Sequence, residues 1–406
     1  MGGTLTGLSI LPFLLLYGLM LPVTAMVPVL PVFTVQRFPE LDAFASHLFM
    51  SVNMIGALVG APLAGLLSDR LGRRKALAVA ALAANGLILL GIAVVYQQAS
   101  SYALLLTLRL IEGFAHMAAL SVLMAMGADR AGHAGLGARM GGVGAAISLG
   151  VASGAPLGGV VGGIDPLWVP LGGGVLSLAL AVLAGAGLRE AAPARARLDM
   201  RTLVANLRAR RELAIPLAFS FADRLTVGFI VSTLSLYLGV EMGMDARAIG
   251  GAMAAFLLPF SLLTWPAGHL SRHWNALHML ITGSILYGIF LGALAFVSRD
   301  WMVPAMAVGG VIAALMYAPS LVLAAQYGGA DCRASALAAF NMAGSLGFAA
   351  GPLLSATLLT LFTPLLDAPY VPVFILIGAV EVVLAVLVWW AVRQGMFAPR
   401  RAGLAT

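Results

Sequence analysis

A chain of 406 residues with 61% hydrophobic and only 10% charged side chains falls far below the roughly 25% charge of soluble domains, which excludes an ordinary soluble protein. A bilayer-spanning helix takes about 20 apolar residues, so the length accommodates about twelve spans and leaves no sizeable soluble domain. The single cysteine excludes an internal disulfide framework, and the net charge of +7 implies a polyanionic partner only if loop topology does not already account for it.

Long apolar runs predict helices at about 11–33, 43–67, 76–97, 102–125, 140–163 and 167–189. After the polar stretch 190–212, a second set lies at about 213–238, 247–270, 277–297, 301–327, 335–362 and 370–393. The expected fold is an all-α membrane protein of twelve transmembrane helices in two pseudo-symmetric six-helix bundles. The N-terminal bundle is 1–189, the linker 190–212, the C-terminal bundle 213–393 and the tail 394–406. With both termini on the inner side, 18 of the 23 basic residues fall in inner segments and only Arg37, Arg247 and Arg299 fall outside. Arg109 and Arg224 lie within spans. This alternation is the positive-inside pattern, so the basic charge reads as an orientation signal and nucleic-acid binding has little support.

The halves echo one another. Ala64, Gly65, Leu66, Leu67 and Ser68 recur as Ala267, Gly268, His269, Leu270 and Ser271, and Gly150, Gly154 and Pro156 as Gly347, Gly351 and Pro352. Parallel six-helix repeats around a linker suit a rocking two-bundle transporter.

The loop after the second span runs Gly65, Leu66, Leu67, Ser68, Asp69, Arg70, Leu71, Gly72, Arg73, Arg74, Lys75. It resembles the G-x-x-x-D-R-x-G-R-R-K signature of the major facilitator superfamily at every signature position. The resemblance implies alternating access and a conformational latch formed by Gly65, Asp69, Arg70, Gly72, Arg73 and Arg74. The plainer alternative is that the basic cluster only enforces topology. In the fifth span, Gly150, Gly154, Pro156, Gly158 and Gly159 are similar to the family's antiporter motif, with Ala155 where a proline is usual. Close helix packing through small residues is the alternative.

The fourth span resembles the family's R-x-x-Q-G motif through Arg109, Glu112 and Gly113, with Glu112 replacing the usual Gln. Arg109, Glu112 and His116 share one helical stripe, and charges at that depth are expensive unless paired or functional. Glu112 is therefore a candidate proton carrier tuned by Arg109, or else half of a structural ion pair. Asp223, with Arg224 about 100° around the seventh helix, is the second candidate for proton coupling; a salt bridge between halves is the alternative. Glu381 is the third intramembrane acid; its span usually lies outside the cavity in this family, so a packing or interhelical hydrogen-bond role is expected. His269, His273 and His278 have no carboxylate or cysteine to complete a metal set, so no metal is expected. No Walker loop, nucleophile elbow or dinucleotide fingerprint is present, and neither enzymatic activity nor a cofactor is expected.

The leading expectation is a monomeric, proton-coupled exporter of a small hydrophobic or amphipathic organic solute in the bacterial inner membrane, with both termini cytoplasmic. The alternative is a proton symporter or facilitator importing a metabolite. Its partners would be a small-molecule substrate, protons and the lipid bilayer, with no nucleic acid. The substrate cavity expected at mid-membrane draws on Tyr17, Met20, Met26, Phe114, His116, Phe229, Tyr237, Met316, Tyr317 and Gln326, since aromatic and methionine side chains suit a loosely shaped apolar ligand.

Overall fold

Apolar segments in a bilayer must satisfy every backbone polar group internally, which leaves helices as the solution for runs of this length. The computed structural model describes residues 10–98, 101–129, 136–190, 210–271 and 273–396, and these contain helices and no strand. The first half holds α1 (Leu11–Ala25), α2 (Ala43–Leu71), α3 (Arg74–Gln98), α4 (Tyr102–Asp129), α5 (Leu136–Gly162) and α6 (Trp168–Gly187). The second opens with α7 (Ala214–Phe229), α8 (Ala246–Leu270) and α9 (Ala276–Leu294). It closes with α10 (Arg299–Gly328), α11 (Ala339–Phe362) and α12 (Tyr370–Arg393). Eleven of these runs are long and apolar enough to cross a membrane, α7 by extending to Glu241, and α1 is the shorter twelfth. Nearly all of the linker and tail expected at 190–212 and 394–406 lies outside the described residues, as do Arg130 and Arg272.

Two elements depart from the predicted spans. The apolar run predicts a first span reaching residue 33. Instead α1 stops at Ala25, passes through turns at 26–29 and resumes as a π turn at Val32–Gln36. Pro28 and Pro31 lack the N–H groups an α-helix needs there. The second departure is that α10 and α11 form one unbroken helical run, Arg299–Phe362. The run must reverse direction within it. Tyr317 accepts a hydrogen bond from Arg224 at 3.3 Å, and the carbonyl of Phe340 accepts one from Ser220, one turn away on α7, at 2.7 Å. A straight helix would hold Tyr317 and Phe340 about 35 Å apart, yet their rings lie 6.5 Å from each other.

The internal repeat is expressed in packing. A Cβ on Gly150 or Gly154 would strike the carbonyls of Tyr17 and Leu21 on α1, and one on Gly347 or Gly351 those of Phe221 and Leu225 on α7. The fifth helix of each half thus lies on the first through the same glycine pair, as close helix packing requires. Asp42 caps α2 by accepting from the Ala45 N–H at 2.6 Å, and Asp245 caps α8 from the Ala248 N–H at 2.8 Å. These caps share the 203-residue offset of the sequence echo.

Among the described residues, the halves share buried apolar packing at the end away from the linker. Away from the linker, Met26, Phe33, Phe49 and Leu105 join Phe229, Leu234 and Met253 in one apolar core. Toward the linker, Leu15, Leu19, Leu82, Leu123 and Leu180 form a core of first-half residues alone. At the fused, distal end Gly159 and Gly163 on the α5 side meet Ala246, Arg247 and Gly250. There the Ser235 hydroxyl donates to the Val27 carbonyl at 2.6 Å. A cleft of about 180 Å³ between Pro28, Pro31, Gly162 and Ala246 indents this seam; ligand pockets start at about 300 Å³.

Candidate transport site

The fourth helix carries a fully buried ionic group. Gly113 has no side chain, so the backbone of Asn53 on α2 comes directly against it, and Gly56 and Gly60 likewise sit on the carbonyls of Leu110 and Phe114. This crossing brings the Asn53 amide onto Glu112. Asn53 Nδ2 donates to Glu112 Oε2 and, at 3.3 Å, to the Arg109 carbonyl. Arg109 Nη1 donates to the same Glu112 oxygen at 2.8 Å, and both side chains are 0% exposed. The guanidinium lies 4.7 Å from the Phe49 ring centre, a cation–π arrangement, and reaches the Phe49 carbonyl at 3.5 Å. Glu112 Oε1 and His116 Nδ1 have no hydrogen-bond partner among the described residues. Asn53 is absent from the expected site residues; a lone amide in the apolar second span is the signal that marks it.

In the second half, Asp223 and Arg224 diverge as their spacing predicts. Arg224 is half-buried and reaches α10, its Nη2 donating to the Tyr317 hydroxyl at 3.3 Å with the guanidinium carbon 5.5 Å from the ring centre. The rings of Phe260 and Phe340 stand 5.6 and 6.5 Å from Tyr317. Among the described residues no carboxylate lies within ion-pair distance of Arg224. Asp223 turns instead into the interior of its bundle, where it neighbours Glu381 of α12. Tyr287 of α9 lies within electrostatic reach of both.

The remaining expected cavity residues are dispersed. Tyr17 and Tyr317 are half-buried on α1 and α10. Met20 and His116 are nearly buried, and Met26 is fully so, within the distal core. Phe229 makes an edge contact with Phe374 at 4.8 Å, and Tyr237 packs on Phe374 and Tyr370 at 5.0 and 5.1 Å, so both face α12. Met316 abuts Gly283 of α9. Phe114 and Gln326 are exposed.

In the loop after α2, Gly72 takes a positive φ of 61° and its N–H closes the helix on the Ser68 carbonyl at 3.0 Å, a conformation suited to glycine. Arg70 and Arg73 are exposed and Arg74 is buried; the Asp69 side chain lies outside the described residues. Gly65 stands beside Ser121 of α4. Beyond Gly150 and Gly154, Gly158 meets the Ala25 carbonyl, Gly159 meets α8, and Pro156 lies inside α5. Gly150, Gly154, Gly158 and Gly159 therefore each sit in close contact with a neighbouring helix.

The family model of the Major Facilitator Superfamily matches residues 8–222 and again 217–403. The 3-(3-hydroxy-phenyl)propionate transporter of Escherichia coli is 28% identical over 337 residues, 80% of each chain. A bacterial homologue of the human lysosomal transporter Spinster, solved inward-facing and unoccupied, superposes with a TM-score of 0.81 at 13% identity, over 99% of this chain and all of that one. The nucleoside transporter NupG gives 0.74 at 15%, over 97% and 100%.

Proposed function

We propose that this chain, which belongs to the Major Facilitator Superfamily and is therefore a secondary transporter, carries a small amphipathic organic acid together with protons. The observation that supports this substrate class is Arg224. A guanidinium within a span is costly unless an anion or water meets it, and this one leans on an aromatic cluster with no carboxylate partner. An aromatic carboxylate would complete both contacts, charge to guanidinium and ring to Tyr317, Phe260 and Phe340. A solute of this class is named for the Escherichia coli relative.

Symport follows from the charge. An anion entering a negative-inside compartment climbs about 2.3 kcal/mol per 100 mV, and a co-transported proton cancels that term. Glu112 and Asp223 are the proton-coupling candidates, with Arg109 and Arg224 as their cationic neighbours. The arginine distribution supports a cytoplasmic linker end in a bacterial inner membrane. The fused end would then be the outer one, and the loop of Asp69 to Arg74 would close the cytoplasmic side in the opposite state. We propose a single chain as the working unit. The second reading, proton-driven export, is favoured by the fifth-span resemblance to antiporters. Its physical basis is weaker, because those glycines are occupied by packing on α1 and α8.

The test is flux into proteoliposomes with an imposed pH gradient, using 3-(3-hydroxyphenyl)propionate and an uncharged aromatic analogue. Accumulation of the acid in the direction of proton flow is expected. Movement against the protons supports export, and flux indifferent to the gradient, or intact coupling in the double variant Glu112→Gln, Asp223→Asn, rejects proton coupling through these residues.

A further inference from the structure

Beside the ion pair of the first half, the second half buries two acids that have no cation in contact among the described residues. Asp223 is 4% exposed and Glu381 0%, and none of their four carboxyl oxygens has a hydrogen-bond partner of good geometry. Glycine seats Glu381 against α9. A Cβ on Gly288 of α9 would strike the Gly378 carbonyl of α12, and the reverse also holds. With the two backbones in contact, Glu381 stands one turn along from Gly378, its Cβ 3.1 Å from where a Cβ on Gly288 would be. Ser284 of α9 borders Glu381, and Tyr287, which borders Thr226, lies within electrostatic reach of both acids. The Tyr287 hydroxyl is itself unpartnered in a side chain only 1% exposed. The charged and titratable groups facing the pair are Arg224 on α7, whose guanidinium is turned to Tyr317, and Tyr287 on α9.

Two carboxylates and a phenol in a dry interior present acceptors in excess of donors, and two like charges side by side repel. One proton resolves both conflicts, because a protonated carboxyl donates to its neighbour and the Tyr287 hydroxyl donates to an oxygen that remains. We propose that Asp223, Glu381 and Tyr287 form a proton-binding site in the second half, whose carboxyl pair holds one proton in this conformation and takes up another when an anion occupies Arg224. The second clause rests on the symport reading. An anion seated on Arg224, the residue next to Asp223, adds negative charge beside the carboxyl pair and a proton offsets it, so substrate and proton bind together. The proton enters from water on one side, resides on a carboxyl oxygen and returns to water on the other.

The experiment uses the full chain in proteoliposomes. Infrared spectra of the wild type are expected to show the C=O stretch of a protonated carboxylic acid, absent in Glu381→Gln and displaced in Tyr287→Phe. Gradient-driven accumulation of 3-(3-hydroxyphenyl)propionate should fall by about tenfold or more in Glu381→Gln and Asp223→Asn. Glu381→Asp should restore part of the accumulation. Absence of the protonated band in the wild type overturns the site without requiring any variant to fold. Unchanged accumulation in both variants overturns its coupling role. Wild-type flux that ignores the gradient removes the symport reading and leaves the shared proton to be judged on the band.

Discussion

Gly159 of α5 and Gly250 of α8 touch through bare backbone: a Cβ on Gly159 would lie 2.8 Å from the Gly250 Cα, and a Cβ on Gly250 2.7 Å from the Gly159 Cα. The two halves have no closer approach of this kind at the linker end among the described residues. A side chain at either glycine must therefore hold the distal end apart. Gly159→Leu and Gly250→Leu are each expected to lower turnover by about tenfold, equivalent to about 1.4 kcal/mol against the closed state. Labelling of a cysteine introduced at the distal seam should rise in parallel. Normal turnover in both would dissociate this contact from the transport cycle.

The Arg109–Glu112 pair predicts an asymmetric response. Removing one member leaves the other charge buried and uncompensated, at a cost of about 3–5 kcal/mol. Arg109→Met alone should thus destabilise the detergent-solubilised protein strongly, while Arg109→Met with Glu112→Leu should recover much of the loss. Thermal unfolding read by tryptophan fluorescence checks this. A double variant as unstable as the single one would show that Asn53 and the Phe49 contacts, rather than charge pairing, govern the site.

Arg224 has the opposite character, since it is half-buried and lacks an acid partner. Arg224→Met is expected to raise the KM for an aromatic carboxylate by roughly tenfold or more, the range for a lost charge-assisted hydrogen bond. The KM for an uncharged aromatic analogue should change little. Arg224→Lys should keep part of the affinity, because the charge remains while the planar contact with Tyr317 is lost. Equal effects on charged and uncharged solutes would remove Arg224 from substrate recognition.

The paired caps offer a test of the repeat itself. Asp42→Ala and Asp245→Ala each remove one N-cap hydrogen bond, worth about 1 kcal/mol, and should each lower the melting temperature by about 2 °C. They sit on different halves and share no partner, so the losses should add. A double variant well short of the sum would show the caps to be coupled through the distal seam.

Much of the architecture is legible in the sequence, because a span needs only a run of apolar residues and the arginines mark alternate loops. The echoes of Gly150 and Gly154 in Gly347 and Gly351 are legible for a similar reason: a helix crossing demands glycine at fixed register. The facing of individual side chains is not. Residue type and membership of the seventh span put Phe229 and Tyr237 among the expected cavity residues, but both pack on Phe374 of α12, and the π turn at Ile230–Leu234 changes the helical phase between them. For Glu381, the sequence supports a packing or interhelical role without naming a partner. Asp223 lies more than 150 residues away along the chain, and it is the packing of α7 on α12, seen also in Phe229 against Phe374, that brings the two acids together.

Pro31 has one further effect. A continuing α-helix would give the Val27 carbonyl the N–H of residue 31, which a proline lacks; the carbonyl instead takes the Leu30 N–H at 3.2 Å and the Ser235 hydroxyl from the other half at 2.6 Å. Serine in a helix can also bond back to its own carbonyl four residues earlier, so Ser235 has a second home on the α7 extension when the halves part. The distal bridge is thus a contact that can be undone without stranding its donor, as a gate that opens once per cycle requires.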